Sequence, residues 1–161
     1  MTEYRLEDKV AIVTGGGSGI GESIAKKYAQ AGANIVVASR NQENLTRVAT
    51  ELEALGRESL AVATDICVPE QVDNMVKQTM DRFGRIDILV NNAGAAMTFK
   101  KIEELSPEEW IATVALNLTG PFLCSAAAGK VMIEQKSGKI INVSSAAGLR
   151  GVSFMAVHPE N

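Results

Sequence analysis

No apolar run in this chain is expected to approach the 18 or more residues needed to cross a bilayer, and the opening Met1-Thr2-Glu3-Tyr4-Arg5-Leu6-Glu7-Asp8 is too polar for a signal peptide. These two absences lead to the expectation of a cytoplasmic protein with no membrane partner. Nor is one sign of charge in surplus: 16 basic residues stand against 19 acidic ones, a formal net of −3. That balance provides no electrostatic reason to expect nucleic acid or an anionic surface, so small molecules are the expected ligands. Cysteine is scarce. Cys67 and Cys124 lack metal-ligand spacing and a neighbouring histidine, and are expected to be small packing residues rather than a disulfide or a metal site. Repeats, low-complexity tracts and linkers are missing too, so the 161 residues are read as one domain, long enough to bury a core.

Glycine, by contrast, is concentrated in one place. The run Thr14-Gly15-Gly16-Gly17-Ser18-Gly19-Ile20-Gly21 lies between the apolar Val10-Ala11-Ile12-Val13 and the helix-like Glu22-Ser23-Ile24-Ala25-Lys26-Lys27-Tyr28-Ala29. A buried strand that turns through glycines into a helix presents unpaired N–H groups and the positive end of the helix dipole to an anion. A dinucleotide pyrophosphate is the expected guest. Gly15 would permit the tight turn, Gly19 a close approach of backbone to phosphate, and Gly21 close packing of helix on strand. Taken alone, the run is also compatible with an ordinary glycine-rich turn.

Apolar runs at 9–14, 34–39, 59–64, 86–91 and 138–144 are short, nearly continuous and rich in Val and Ile, as expected of parallel strands buried on both faces. Amphipathic stretches at 19–31, 42–55, 68–83 and 107–135 separate them. Ser106, Pro107 and Glu109 have the pattern of a capping box, and Gly32, Gly56, Gly84 and Gly138 fall where left-handed helix caps are wanted. Pro121 predicts a kink or a boundary in the last helix. Such alternation predicts an α/β fold, a doubly wound, Rossmann-like parallel sheet with right-handed crossovers. The expected strand order is 3-2-1-4-5, with 139–144 at an edge.

The spacing T-G-x-x-x-G-x-G resembles that of the short-chain dehydrogenase/reductase family, and other landmarks of that family follow in order. Asp65 follows Leu60-Ala61-Val62-Ala63, Asn91-Asn92-Ala93-Gly94 follows Ile86-Asp87-Ile88-Leu89-Val90, Asn117 lies in Leu116-Asn117-Leu118-Thr119-Gly120, and Ser145 ends Ile140-Ile141-Asn142-Val143-Ser144-Ser145. The resemblance covers residues 8 to about 150. It implies an oxidoreductase of the carbonyl reductase or secondary alcohol dehydrogenase type, with a small carbonyl or alcohol substrate.

The cofactor-binding candidates are Gly15, Ser18, Gly19, Ile20 and Gly21 in the loop; Ser39, Arg40 and Asn41 after the second strand; Asp65 and Ile66; and Asn92, Ala93 and Gly94. An acid at the end of the second strand would accept from the 2′-hydroxyl of NAD, whereas a guanidinium can pair with a 2′-phosphate. With Arg40 present and no acid at 38, 39 or 41, NADP is expected in preference to NAD, a solvated strand-end arginine being the competing reading. The resemblance implies that Asp65 accepts from the adenine amino group with Ile66 against the ring; a strand-end Asp capping a turn is the alternative. It implies that Asn92 and Gly94 both line the site and stabilise the central crossover. It also implies that Asn117 distorts its helix to hold a water of a proton relay, a plain surface asparagine being the alternative, and that Ser145 hydrogen-bonds the substrate oxygen. No metal is expected.

The resemblance then breaks. The family's proton donor is a tyrosine thirteen residues after that serine, with a lysine four residues later on the same helical face. The thirteenth residue here is His158, followed by Pro159, and the 161 residues stop before the lysine position. Pro159 disfavours helical geometry at His158, so an exposed histidine is expected rather than a substitute acid. Relative to the family the domain is C-terminally incomplete, without its later strands, helices and substrate loops. The expectation is an inactive chain, with a non-catalytic dinucleotide-binding module or partner subunit as the alternative function. A longer form would be expected to form a homo-oligomer, since the family's subunit contacts use the element carrying Ile111, Val114, Phe122, Leu123 and Val131.

Overall fold

The computed structural model of the chain describes residues 5–95 and 100–145. Strands β1 (Val10–Thr14), β2 (Asn34–Ser39) and β3 (Ser59–Ala63) alternate with helices α1 (Gly19–Gln30) and α2 (Gln42–Ala54). Helix α3 (Pro69–Phe83) leads to β4 (Ile88–Asn91), and a long helical stretch then leads to β5 (Lys139–Asn142). All pairings are parallel, and the order is β3-β2-β1-β4-β5, as read from the sequence. The order reverses between β1 and β4, the switch point at which sheets of this kind open a crevice beyond the carboxyl ends of their strands.

Successive side chains of a strand face opposite sides of the sheet, and both sides are apolar here. Val10 and Ile12 enter a core with Leu89, Met75, Cys124, Ala128 and Met132 under α3 and the last helix. Ala11 and Val13 enter the other core, with Ala25, Ala29, Leu45, Val48 and Leu52 of α1 and α2. Strand β5 differs. All four of its residues are exposed, and Ile140 and Ile141 each keep 41% of their surface in contact with solvent, because no described element covers this edge.

The stretch Pro107–Gln135 comprises α4 (Pro107–Val114), a π-helical turn (Ala115–Thr119) and α5 (Gly120–Gln135). Ser106 and Glu109 close the expected capping box at its start. Pro121 is a boundary rather than a break. It brings no N–H for the Asn117 carbonyl four residues back, and the backbone widens so that the Gly120 N–H reaches back five residues to Ala115. Two expectations are corrected here. By length and composition Pro107–Gln135 is apolar enough to cross a membrane, with an 18-residue window of mean hydropathy 1.5; the Thr, Asn, Gly, Pro and Ser that break its apolar runs are uncharged. Gly138 is also not a left-handed cap. Lys136, at φ 54°, takes that conformation at the end of α5. Gly138 is instead required by packing, since a Cβ there would lie 2.3 Å from Met132 Cγ. Gly32, Gly56 and Gly84 do have positive φ.

At the amino end of the sheet, Asp87 ties β1 to β4. Its carboxylate accepts the Val10 N–H at 3.0 Å and two bonds from Arg85 at 2.6 and 2.7 Å, with Lys9 Nζ 3.6 Å away. Burial alone would raise the Asp87 pKa, but the bonds from Arg85 and Val10 and the nearby cations outweigh it and hold the carboxyl below its usual range. A group with a depressed folded-state pKa contributes stability above its unfolded pKa and loses it as pH falls through the folded one. Asp87→Asn is therefore expected to cost about 1.5–3 kcal/mol at pH 7, with the gap from wild type closing below the ordinary carboxylate range. Urea unfolding at pH 7 and near pH 3 measures this, and an equal gap at both would refute it.

Candidate dinucleotide site

Beyond the carboxyl ends of the strands, two adjoining cavities of about 430 and 700 Å³ share Ile20, Asn92, Ala93, Gly94 and Ala95. The smaller runs from Arg40 and Ser39 past Asp65 and Ile66 to Gly15, Ser18, Gly19 and Gly21. The larger continues to Asn117, Phe122, Asn142 and Ser145. Residues that are up to 130 positions apart in sequence thus line one continuous crevice.

The glycine loop is built for close approach. The Ala38 carbonyl accepts the Gly15 N–H at 2.7 Å and the Gly16 N–H at 3.4 Å, anchoring the turn. Gly15 has φ 67°, which favours glycine. A Cβ on Gly21 would lie 2.3 Å from the Gly15 oxygen and 2.5 Å from Asn92 Nδ2, so this position admits only glycine. Gly19 is the opposite case: it has φ 57°, lines the smaller cavity, and among the described residues has nothing within 4 Å of an added Cβ. The first-turn N–H groups of α1 have no helical partners, and the Ser18 side chain makes no cap bond to them. This cradle fits a pyrophosphate.

On the β4 side, the buried Thr14 hydroxyl donates to the Val90 carbonyl at 3.2 Å and accepts the N–H groups of Asn92 and Ala93, both at 3.0 Å. Asn92 Nδ2 returns a bond to the Thr14 carbonyl at 3.0 Å. Asn92 is thus bonded into the β1–β4 crossover while lining the crevice. Asn117 reaches across to the segment after β4: its Oδ1 accepts the Ala95 N–H and its Nδ2 donates to the Ala95 carbonyl, each at 3.0 Å. Gly94 makes room for this, as a Cβ there would lie 2.7 Å from Asn117 Oδ1.

At the other end, Arg40 is exposed and forms no ion pair among the described residues; Asn41 caps α2 by accepting the Asn44 N–H at 3.0 Å. Asp65 Oδ1 accepts the Cys67 N–H at 2.9 Å, the turn-capping role, and the residue also lines the crevice. Ser145 is half-buried at the mouth, after the exposed Ser144. His158 lies outside the described residues. Burial pushes the Cys124 thiol up to about 12, with Cys67 adding to the shift, as suits a packed, unreactive thiol.

Sequence reasoning passed over Thr14 as a ligand of the loop, although a lone hydroxyl ending an apolar strand was its signal. It also passed over Asn91. This buried amide donates to Ser125 Oγ and Asn142 Oδ1, each at 2.9 Å, tying β4, α5 and β5 together below Ser145. Its Oδ1 has no hydrogen-bond partner among the described residues.

A parallel sheet of this order, with a glycine cradle at the switch point and a crevice reaching the end of β5, defines a Rossmann-type dinucleotide fold. The chain matches the short chain dehydrogenase family over residues 9–158, and it belongs to that family. It is 42% identical over 147 residues to a 3-oxoacyl-[acyl-carrier-protein] reductase of Synechocystis, covering 91% of this chain and 59% of the relative. It is 41% identical over 146 residues to (2S)-[(R)-hydroxy(phenyl)methyl]succinyl-CoA dehydrogenase subunit BbsD of Thauera aromatica, covering 91% and 58%. The chain therefore spans less than two thirds of these relatives. Among solved structures, a metagenomic short-chain oxidoreductase in complex with NADP superposes with TM-score 0.87 at 38% identity, over 92% of this chain and 67% of that one. NAD+-bound xylitol dehydrogenase superposes with TM-score 0.90 at 32% identity, over 93% and 58%.

Proposed function

We propose that this chain carries the NADP-binding and serine-bearing part of an oxidoreductase that interconverts a small carbonyl compound and a secondary alcohol. The observation that carries the reading is the continuity of the crevice from Arg40, past the glycine cradle, to Asn117 and Ser145. Such a path matches a dinucleotide with its adenosine end at Arg40 and its nicotinamide end near Ser145.

The choice of NADP rests on Arg40, whose guanidinium is suited to a 2′-phosphate and has no competing ion pair among the described residues. The family's solved members named above hold either NADP or NAD, so this chain's own residues carry the preference. When bound, the nicotinamide supplies the hydride chemistry. Ser145 donates a hydrogen bond to the substrate oxygen, and Asn117 fixes the Ala95 segment against the crevice through its two bonds. Position 158 holds histidine followed by proline where the family has its acid/base tyrosine. The 161-residue chain is accordingly proposed to bind the cofactor without turnover. A homo-oligomeric longer form is proposed from the exposed Ile111, Leu118, Phe122 and Ile133 along the stretch Pro107–Gln135.

Fluorescence titration with NADPH and NADH tests the reading. Saturable NADPH binding is expected, at least tenfold tighter than NADH, with Arg40→Ala losing about tenfold for NADPH alone, the size of one charge-assisted hydrogen bond. No NADPH consumption is expected with ketone substrates. Equal affinity for both cofactors would overturn the NADP assignment, and steady turnover by the 161-residue chain would overturn the non-catalytic one.

A further inference from the structure

One group of charges stands beside the glycine loop and takes no part in the reading above. Glu22, in the first turn of α1, accepts from Arg47 Nη2 at 2.7 Å, Arg47 Nη1 at 3.1 Å and Lys26 Nζ at 2.6 Å. Glu51 closes the ring, with Arg47 Nη1 at 2.7 Å and Lys26 Nζ at 2.5 Å. Two cations and two anions thus form a neutral square joining α1 to α2. Arg47 has one contact the others lack: its Nη2 also donates to the Gly17 carbonyl at 3.3 Å, inside the loop.

Stability alone does not account for this arrangement. Arg47 and Glu51 keep 46% and 39% of their side-chain surface in solvent, and ion pairs so exposed contribute little. Its location does have a consequence. Glu22 puts a carboxylate at the amino end of α1, one turn from the N–H groups that would receive a pyrophosphate. An uncompensated anion there would oppose a second one. The hydrogen bonds from Arg47, then Lys26, hold the Glu22 carboxyl down at about 2, so it remains charged and in need of its cations throughout the physiological range. The Gly17 carbonyl poses a second difficulty. A carbonyl in a loop that presents N–H groups must turn away from the anion, and the Arg47 fork occupies it on the α2 side.

Resting on the cofactor reading above, we infer that Arg47 is a positioning residue for the dinucleotide pyrophosphate, tethering the Gly17 carbonyl away from the crevice and neutralising Glu22. Arg47 itself does not line the crevice. Lysine could neutralise Glu22 but lacks the planar fork that engages Glu22 and Gly17 together. Glu51 serves as the internal control, because its loss removes ion pairs from the same square without freeing the loop.

The test compares NADPH affinity, unfolding midpoint and amide hydrogen exchange at residues 16–19 in Arg47→Gln, Arg47→Lys and Glu51→Gln. Arg47→Gln is expected to weaken NADPH at least fivefold and to speed exchange in the loop, Arg47→Lys to give an intermediate affinity, and Glu51→Gln to stay within twofold of wild type. All three should unfold at similar denaturant concentration. Wild-type affinity in Arg47→Gln, or equal losses in Arg47→Gln and Glu51→Gln, would overturn the inference. A wild-type chain that binds no dinucleotide would instead bring down the cofactor reading, and this inference with it.

Discussion

Gly21→Ala is expected to weaken NADPH binding about a hundredfold, because one methyl group cannot be placed there without moving the start of α1. The added carbon would meet the Gly15 oxygen at 2.3 Å and Asn92 Nδ2 at 2.5 Å. Neither neighbour can yield. Gly15 is held by the Ala38 carbonyl at 2.7 Å, and Asn92 Nδ2 is bonded to the Thr14 carbonyl at 3.0 Å. Ordinary carbon contacts begin near ~3.5 Å, so the helix must retreat by about 1 Å and take its first-turn N–H groups with it. A misplacement of ~1 Å in a preorganised site costs on the order of a hundredfold, and overpacking costs about 1–3 kcal/mol of stability. Gly19→Ala is the contrasting variant. Among the described residues nothing lies within 4 Å of its Cβ, so only the left-handed backbone at φ 57° is strained, at about 1–2 kcal/mol. Titration and urea unfolding of the two variants measure the difference. Gly21→Ala binding NADPH within threefold of wild type would show that the close packing of α1 on the loop is not what shapes the cradle.

The second large effect is expected at Thr14. Valine has nearly the same shape, so Thr14→Val leaves the packing of β1 intact while removing the hydroxyl that serves three backbone groups. The N–H groups of Asn92 and Ala93 and the Val90 carbonyl would each lose a partner at a site where Thr14 is fully buried. A fully buried group left unpaired costs roughly 1–3 kcal/mol. The Val90 carbonyl is such a group, while the Asn92 and Ala93 N–H groups are part-buried beside the crevice. A total of about 2–4 kcal/mol is therefore expected, a large share of an ordinary domain's ~5–15 kcal/mol. Cofactor affinity should fall with it, because residues 92–94 form the wall shared by the two cavities. Thr14→Ser keeps the hydroxyl and should retain most of both properties. If Thr14→Val were as stable as Thr14→Ser, the hydroxyl would not be the link between the strands.

Most of the fold was readable from local pattern, because the signals involved are local. Val10 to Val13 form a continuous apolar run buried on both faces, and Ser106 with Glu109 closes a cap within three residues. Gly32, Gly56 and Gly84 take the left-handed conformation where the helical pattern ends. The cap reading that failed did so where packing competed with a local rule. Gly138 looked like a cap, but the chain turns two residues earlier at Lys136, and Gly138 is required by the Met132 side chain. Pro121, read as a kink or a boundary, does mark a boundary, and its missing N–H is absorbed by one widened turn before α5.

By itself, then, the sequence determined the class of fold, the strand order, the family and the glycine cradle, since each depends on contiguous residues whose backbone preferences act over a few positions. Only the tertiary structure decided which groups hold that cradle in shape. Thr14 meets Asn92 across 78 positions, Arg47 meets Glu22 across 25 and Gly17 across 30, and Asn91 meets Asn142 across 51. No period or motif encodes such pairs. They exist because parallel crossovers return the carboxyl ends of distant strands to one edge of the sheet, where a polar group must find its partner in whatever residue the topology brings beside it.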